Sequence, residues 1–215
     1  MTAVEREHQV ERHGDFLAWG VADAPLPPEA QSGDMCLVCG TEDGVLIAVI
    51  DGSGHGAEAA AASEIAANLL RAHADESPVT LVLRCHEALR GARGAAMTVA
   101  FLNLRDRTMT WLGVGNVEAV LFHAGTLDYQ NAERVLLRSG VVGYRLPPRL
   151  RAEVVPLRHG DTLVVATDGV QPEFAEGPVP DGDPQQMAER ILAQHLSGRD
   201  DALVVVGRYL RGTPG

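Results

Sequence analysis

AAMTVAFLNL (95–104), RDR (105–107), TMTWLGVG (108–115) and VEAVLFHA (117–124) follow one another with no helix between them. Each apolar segment is rich in β-branched or aromatic residues and reads as a strand, and RDR reads as a hairpin turn. Parallel neighbours need a long crossover, usually a helix, so links this tight exclude regular β-α-β alternation. The stretch predicts mostly antiparallel sheets.

Upstream, FLAWGVA (16–22) reads as a first strand that APLPP ends, and strands follow at 35–40 and 45–50. AEAAAASEIAANLLRAHA (57–74) reads as a helix, with Ile65, Leu69 and Leu70 on one stripe. Pro78 suits the first turn of a second helix to about Arg90, which GARG (91–94) breaks. Downstream, strand signals fall near 134–138, at 151–157, 161–168 and 202–210, with a third helix over 184–196. VLIAVI (45–50) and TLVVA (162–166) are apolar on both faces, so their sheets are covered on both sides. The expected class is α+β: two mostly antiparallel sheets flanked by helices.

The chain has 215 residues, enough for one well-filled domain over 1–215. Eighteen basic against 29 acidic residues give a formal charge of −11, which disfavours nucleic acid and anionic lipid as partners. No apolar run approaches the ~20 residues that span a bilayer. The N-terminus, MTAVEREHQVERHG, lacks the apolar segment of a secretory leader. Three cysteines read as reduced thiols of a cytoplasmic protein. Cys36 and Cys39 form a C-x-x-C, but on a strand their side chains point to opposite faces, against a redox or zinc site. Cys85, beside His86 on a predicted helix, reads as a small buried thiol.

The acids concentrate at strand ends. VLIAVI stops at Asp51-Gly52, TLVVAT stops at Asp168-Gly169, and ALVVVGRYL starts after Asp200-Asp201. An antiparallel last strand would bring all three to one rim, and Asp34 of SGD (32–34) is a fourth candidate. Two carboxylates 4 Å apart repel by about 1 kcal/mol in water and ~4 kcal/mol at an effective dielectric of 20. Such a group needs protons or a cation, and hard oxygen ligands favour magnesium or manganese. Gly52 would let the backbone turn so that its carbonyl faces an ion.

DGSGHG (51–56) admits other readings. GSGHGA (52–57) fits a dinucleotide fingerprint, but no second parallel strand with its acid follows, and Asp51 would face the pyrophosphate with the wrong sign. A serine-hydrolase elbow needs a glycine where Asp51 stands, so Ser53 is a poor nucleophile. His55 is either a polar surface group or a general acid for a leaving alkoxide. Arg71, Arg84, Arg90 and Arg93 read as solvated.

Taken in order, SGD, DGSGHG, GVGNVEAVLF (113–122), GDTLVVATDGV (160–170) and RDDALVVV (199–206) resemble the PPM (type 2C) protein serine/threonine phosphatases. The bacterial branch typified by SpoIIE and RsbU is the most similar, and within it the stand-alone phosphatases of the stressosome. The resemblance covers about residues 30–208. It implies a four-layer α-β-β-α sandwich with two Mn2+ or Mg2+ ions at one end and hydrolysis by a water activated between them. By motif position Asp51 would bridge both ions and the Gly52 carbonyl would bind one. Asp168 and Asp200 would bind the other, and Asp34 would join the second ion directly or through water. Asp201 is the lesser candidate of its pair. Asn116 departs from the pattern, since many relatives carry an aspartate there that is tied to a third ion. The implied substrates are phosphorylated STAS-domain stressosome proteins, scaffold and sensor, whose dephosphorylation resets a stress response. A phosphoprotein-binding pseudophosphatase and a nucleotide-binding module using 52–57 are the alternatives.

Overall fold

Val45, Ile47 and Val49 point to one side of their strand, and Leu46, Ala48 and Ile50 to the other; all six are buried. The architecture follows from that doubly apolar strand. The protein is seen in a computed structural model that describes residues 11–13, 16–26, 31–125, 132–176 and 182–210. The first ten residues, where most of the leader reading falls, lie outside the described residues. The strands are β1 (Glu11–His13), β2 (Leu17–Ala24), β3 (Asp34–Gly40), β4 (Gly44–Gly52), β5 (Ala95–Asn103), β6 (Thr108–Val114), β7 (Glu118–Phe122), β8 (Glu133–Arg134), β9 (Leu137–Arg138), β10 (Glu153–Pro156), β11 (Thr162–Ala166) and β12 (Ala202–Tyr209). The helices are α1 (Ala57–Ala72), α2 (Pro78–Ala88) and α3 (Pro184–His195).

One sheet runs β1-β2-β12-β11-β7-β8, and the other runs β10-β6-β5-β4-β3 with β9 beside β6. Every pairing is antiparallel except β6 with β9. Three apolar layers result. Val45, Ile47 and Val49 of β4 meet Leu163 and Val165 of β11 between the sheets, around Trp111. Leu46, Ala48 and Ile50 meet α1 and α2 outside one sheet. Val204 and Val206 of β12 meet Met187 and Ile191 of α3 outside the other. The order of layers is therefore helix, sheet, sheet, helix, as expected. Each aliphatic side chain so buried stabilises by about 1.5–3 kcal/mol. An exposed ion pair such as Arg105–Asp43 gives ~1 kcal/mol at most, so the apolar layers hold the sandwich.

Local chemistry sets the helix ends. The Ser77 hydroxyl accepts from the Thr80 amide with Pro78 behind it, and the Asp183 carboxylate accepts from the Gln186 amide with Pro184 behind it. Gln185 also bonds both main-chain groups of Val21, which fastens α3 to β2.

The structure departs from the sequence reading at several points. The tight link between β6 and β7 is not a hairpin: β6 lies in one sheet and β7 in the other, so residues 115–117 carry the chain across the sandwich. The predicted first strand is the second, because β1 precedes it and pairs with it. The signal near 134–138 resolves into two short strands in different sheets. On α1 the buried stripe is built from Ala59, Ala62, Ser63, Ala66 and Leu70, while Ile65 is 41% exposed. Small residues face the sheet because α1 lies close against it, as Gly52 shows below. Cys36 packs between the sheets and Cys39 under the helices, on opposite faces of β3.

Cys85 is fully buried on α2, and burial pushes its thiol up to about 12. At pH 8 the native protein should therefore leave Cys85 unmodified by iodoacetamide, and unfolding in urea should expose it; peptide mass mapping reads both states.

Candidate active site

Four segments meet at one rim of the sandwich. β4 ends at Asp51-Gly52, β3 begins at Asp34, β11 ends just before Thr167-Asp168, and β12 begins just after Asp200-Asp201. Within the β3–β4 ladder Asp34 lies directly opposite Asp51. Antiparallel pairing of β11 with β12 sets Ala166 against Val204, which brings the two remaining acidic turns together. The rim that the sequence predicts is formed.

Asp51, Asp168 and Asp200 line a cavity of about 380 Å³ there, together with Ser53, Gly115 and Asn116. Asp34 is outside that lining and accepts a hydrogen bond from the Thr167 hydroxyl at 2.6 Å. Thr167 in turn accepts from the Leu203 amide at 2.9 Å, so one hydroxyl links both sheets at the rim. Asn116 donates its side-chain amide to Asp168. Among the described residues, no three His, Cys, Asp or Glu side chains are grouped to hold a metal ion as they stand. The carboxylates border the cavity without converging on one point.

The electrostatics carry the marks of crowding. Burial pushes the Asp51 carboxyl up to about 8, with Asp34 the largest of the neighbouring charges that add to the effect. Burial pushes Asp34 up to about 7, the Thr167 hydroxyl opposes the rise, and Asp201, Asp168 and Asp200 reinforce it. Asp168 is raised as well, by burial first and then by Asp200, against the bond from Asn116. These are two of the three ways an environment moves a carboxyl upward, acting together.

Two of the glycines serve close packing. Gly52 makes no left-handed turn; a Cβ there would lie 2.2 Å from the Ala59 carbonyl oxygen of α1. Its missing side chain lets the helix approach the strand end. Likewise a Cβ on Gly169 would lie 2.0 Å from the Asp201 carbonyl oxygen, so that glycine seats the Asp168 turn against the start of β12. The left-handed positions are Gly54 and Gly56, with φ of 90° and 75°. Between them His55 is exposed and lies outside the cavity lining. Proton donation to a leaving oxygen would require the 53–56 segment to carry its ring inward.

The adjacent aspartates divide. Asp200 faces the cavity, whereas Asp201 is buried and accepts from the Leu26 and Gly33 amides at 2.7 Å each. Sequence reading passed over Thr167 and took Asn116 only as a departure from a pattern. Thr167 directly precedes an aspartate at a strand end, which is the one local signal that it has a polar partner.

Known proteins share this chain's sequence pattern and fold. The family model described as Stage II sporulation protein E (SpoIIE) matches residues 41–209. Phosphoserine phosphatase RsbX of Bacillus subtilis (strain 168) is 23% identical over 174 residues, 81% of this chain and 85% of that protein. A solved structure described as "The bacterial stressosome: a modular system that has been adapted to control secondary messenger signaling" superposes with a TM-score of 0.80 at 29% identity, covering 89% of this chain and 99% of that one. The crystal structure of RsbX in complex with magnesium superposes at 0.81 with 22% identity, over 94% and 98% of the two chains. The motifs, the layered sandwich and the matched segment agree, and the chain belongs to the SpoIIE family of PPM-type protein serine/threonine phosphatases.

Proposed function

We propose that the chain hydrolyses phosphoserine or phosphothreonine on stressosome proteins, the STAS-domain scaffold and its sensor partner, with two Mn2+ or Mg2+ ions bound at the acidic rim. The reading rests on one observation above the others: three aspartates from two sheets line one cavity, Asp34 lies opposite Asp51 in the ladder, and burial and neighbouring charges push Asp34 and Asp51 to about 7 and 8. A relative of this chain has been crystallised with magnesium and another similar structure comes from the stressosome, which supports both the ions and the partners.

The donor set suits hard divalent cations. All candidate side chains are carboxylates, no thiolate or imidazole lines the cavity, and a main-chain carbonyl at Gly52 lies at the same strand end. Ions bound there supply Lewis acidity and lower the pKa of water. Asp51 would hold both ions, the Gly52 carbonyl one of them, and Asp168 and Asp200 the other. Asp34 would stand beside the second. Asn116 fixes which oxygen of Asp168 turns to the cavity, and Thr167 does the same for Asp34. The rigid strand ends hold this constellation while a phosphoryl group is aligned for in-line attack by water.

Asp51→Asn and Asp168→Asn should each lower Mn2+-dependent hydrolysis of p-nitrophenyl phosphate by about a hundredfold or more, with the circular dichroism spectrum unchanged. Asp201→Ala should behave differently, because it strips the acceptor from two buried amides: stability should fall by about 1–3 kcal/mol in urea titrations. Near-normal turnover in the Asp51 variant would remove the site assignment.

Stability should also depend on pH in a way the carboxyls dictate. Asp34 and Asp51 titrate near 4 when unfolded but near 7 and 8 when folded, so the folded state holds extra protons between those values. Their contribution is complete below about pH 4 and is lost as pH rises through the folded values. In chelator, the urea midpoint should therefore drop between about pH 4 and 8, and Asp51→Asn should flatten that slope.

A further inference from the structure

A second cavity, of about 660 Å³, adjoins the acidic one and shares Ser53 and Val141 with it as walls. Its lining differs in kind. Ala61 of α1, Ala92 of the α2–β5 loop and Val141 contribute an apolar, solvent-open lining, and Tyr144 is 84% exposed beside them. Among the described residues the only charges on its wall are Arg93 and Glu58, and these pair with each other at 2.6 Å. No carboxylate of the acidic rim reaches it. The two cavities are built into one frame: the Ser53 amide bonds the Gly94 carbonyl at 2.8 Å, and a Cβ on Gly54 would lie 3.1 Å from Nη1 of Arg93.

We infer that this cavity is a subsite for the phosphoprotein itself, taking an apolar side chain within about three residues of the phosphoserine. The inference rests on the phosphatase reading above and adds its substrate specificity. A phosphoserine placed at the acidic rim continues as polypeptide on both sides, and an extended chain advances ~3.3 Å per residue. With walls in common, the next cavity lies within reach of a near neighbour. Because Arg93 and Glu58 neutralise each other, the wall offers no unmatched charge to a charged occupant. An apolar side chain loses water there and gains the Tyr144 ring, the type of exposed aromatic that dominates recognition surfaces.

The experiment compares a small ester with peptides. Tyr144→Ala should raise KM for a phosphoserine peptide carrying leucine beside the phosphoserine by about tenfold, and leave kcat/KM for p-nitrophenyl phosphate within about twofold. Ala61→Trp, at an exposed helix position, should fill the cavity and do the same. Peptides with aspartate or lysine in place of that leucine should bind the wild type more weakly and be indifferent to both variants. Fluorescence anisotropy of a labelled phosphopeptide gives the same ranking without turnover. Equal loss on the small ester and the peptide, or no preference for the apolar neighbour, overturns the subsite. Absence of Mn2+-dependent hydrolysis of p-nitrophenyl phosphate by the wild type overturns the phosphatase reading instead, and the anisotropy ranking then judges the subsite separately.

Discussion

Four carboxylates crowd one end of this sandwich, and the rest of the molecule is arranged to keep them there. Two carboxylates brought to ~4 Å at an effective dielectric of 20 would repel by ~4 kcal/mol. A hydrogen bond to a charged group returns about 1.5–3 kcal/mol. The Thr167 hydroxyl on Asp34 and the Asn116 amide on Asp168 therefore orient the acids without neutralising them. What holds the acids together is the apolar packing behind them. β4 is clamped by buried residues on both faces, β11 and β12 likewise, which fixes the strand ends that carry the rim.

Much of this was legible in the sequence, and for physical reasons. VLIAVI and LVVA (163–166) are apolar at every position, as a strand covered on both faces requires. Their ends at Asp51 and Asp168 are abrupt, so the acidic turns stood out. Periodicity does not say which sheet a strand joins. Residues 108–124 read as neighbouring strands, yet the chain changes sheets between β6 and β7. The helix stripe misled for a related reason: large apolar residues mark a buried face only where there is room, and α1 sits so close to β4 that alanine and Gly52 occupy the contact while Ile65 faces outward.

The site was partly legible. The sequence named the strand-end acids, and the structure brings Asp34, Asp51, Asp168 and Asp200 to a common rim. It was silent on the second cavity, whose walls come from α1, the 91–94 loop and residues 141–144. Nothing in GARG or VVGY (141–144) marks them as neighbours, because each is short and small residues carry little pattern. Only the fold joins them: Val142 pairs with Ala95, and Ser53 with Gly94, across distant parts of the chain.

Donor accounting separates the aspartates that shape the fold from those that face the cavity. Asp201 is buried and receives two main-chain amides. Asp161 is buried and receives the Ala124 and Arg158 amides, with His123 alongside at 3.1 Å. Each is an acceptor whose charge is spent on fixed N–H groups, and each ties one loop to another. Asp34 and Asp168 instead take one side-chain donor apiece and keep acceptor capacity turned to the rim. Asp200 and Asp201 show the division within one dipeptide. Neighbours entering a strand point to opposite sides, so Asp201 meets the Leu26 and Gly33 amides, while Asp200, among the described residues, takes only the Asp201 amide and lines the cavity. The doublet is thus two residues with unlike tasks, and exchanging their surroundings would require turning over β12 and the core built on it.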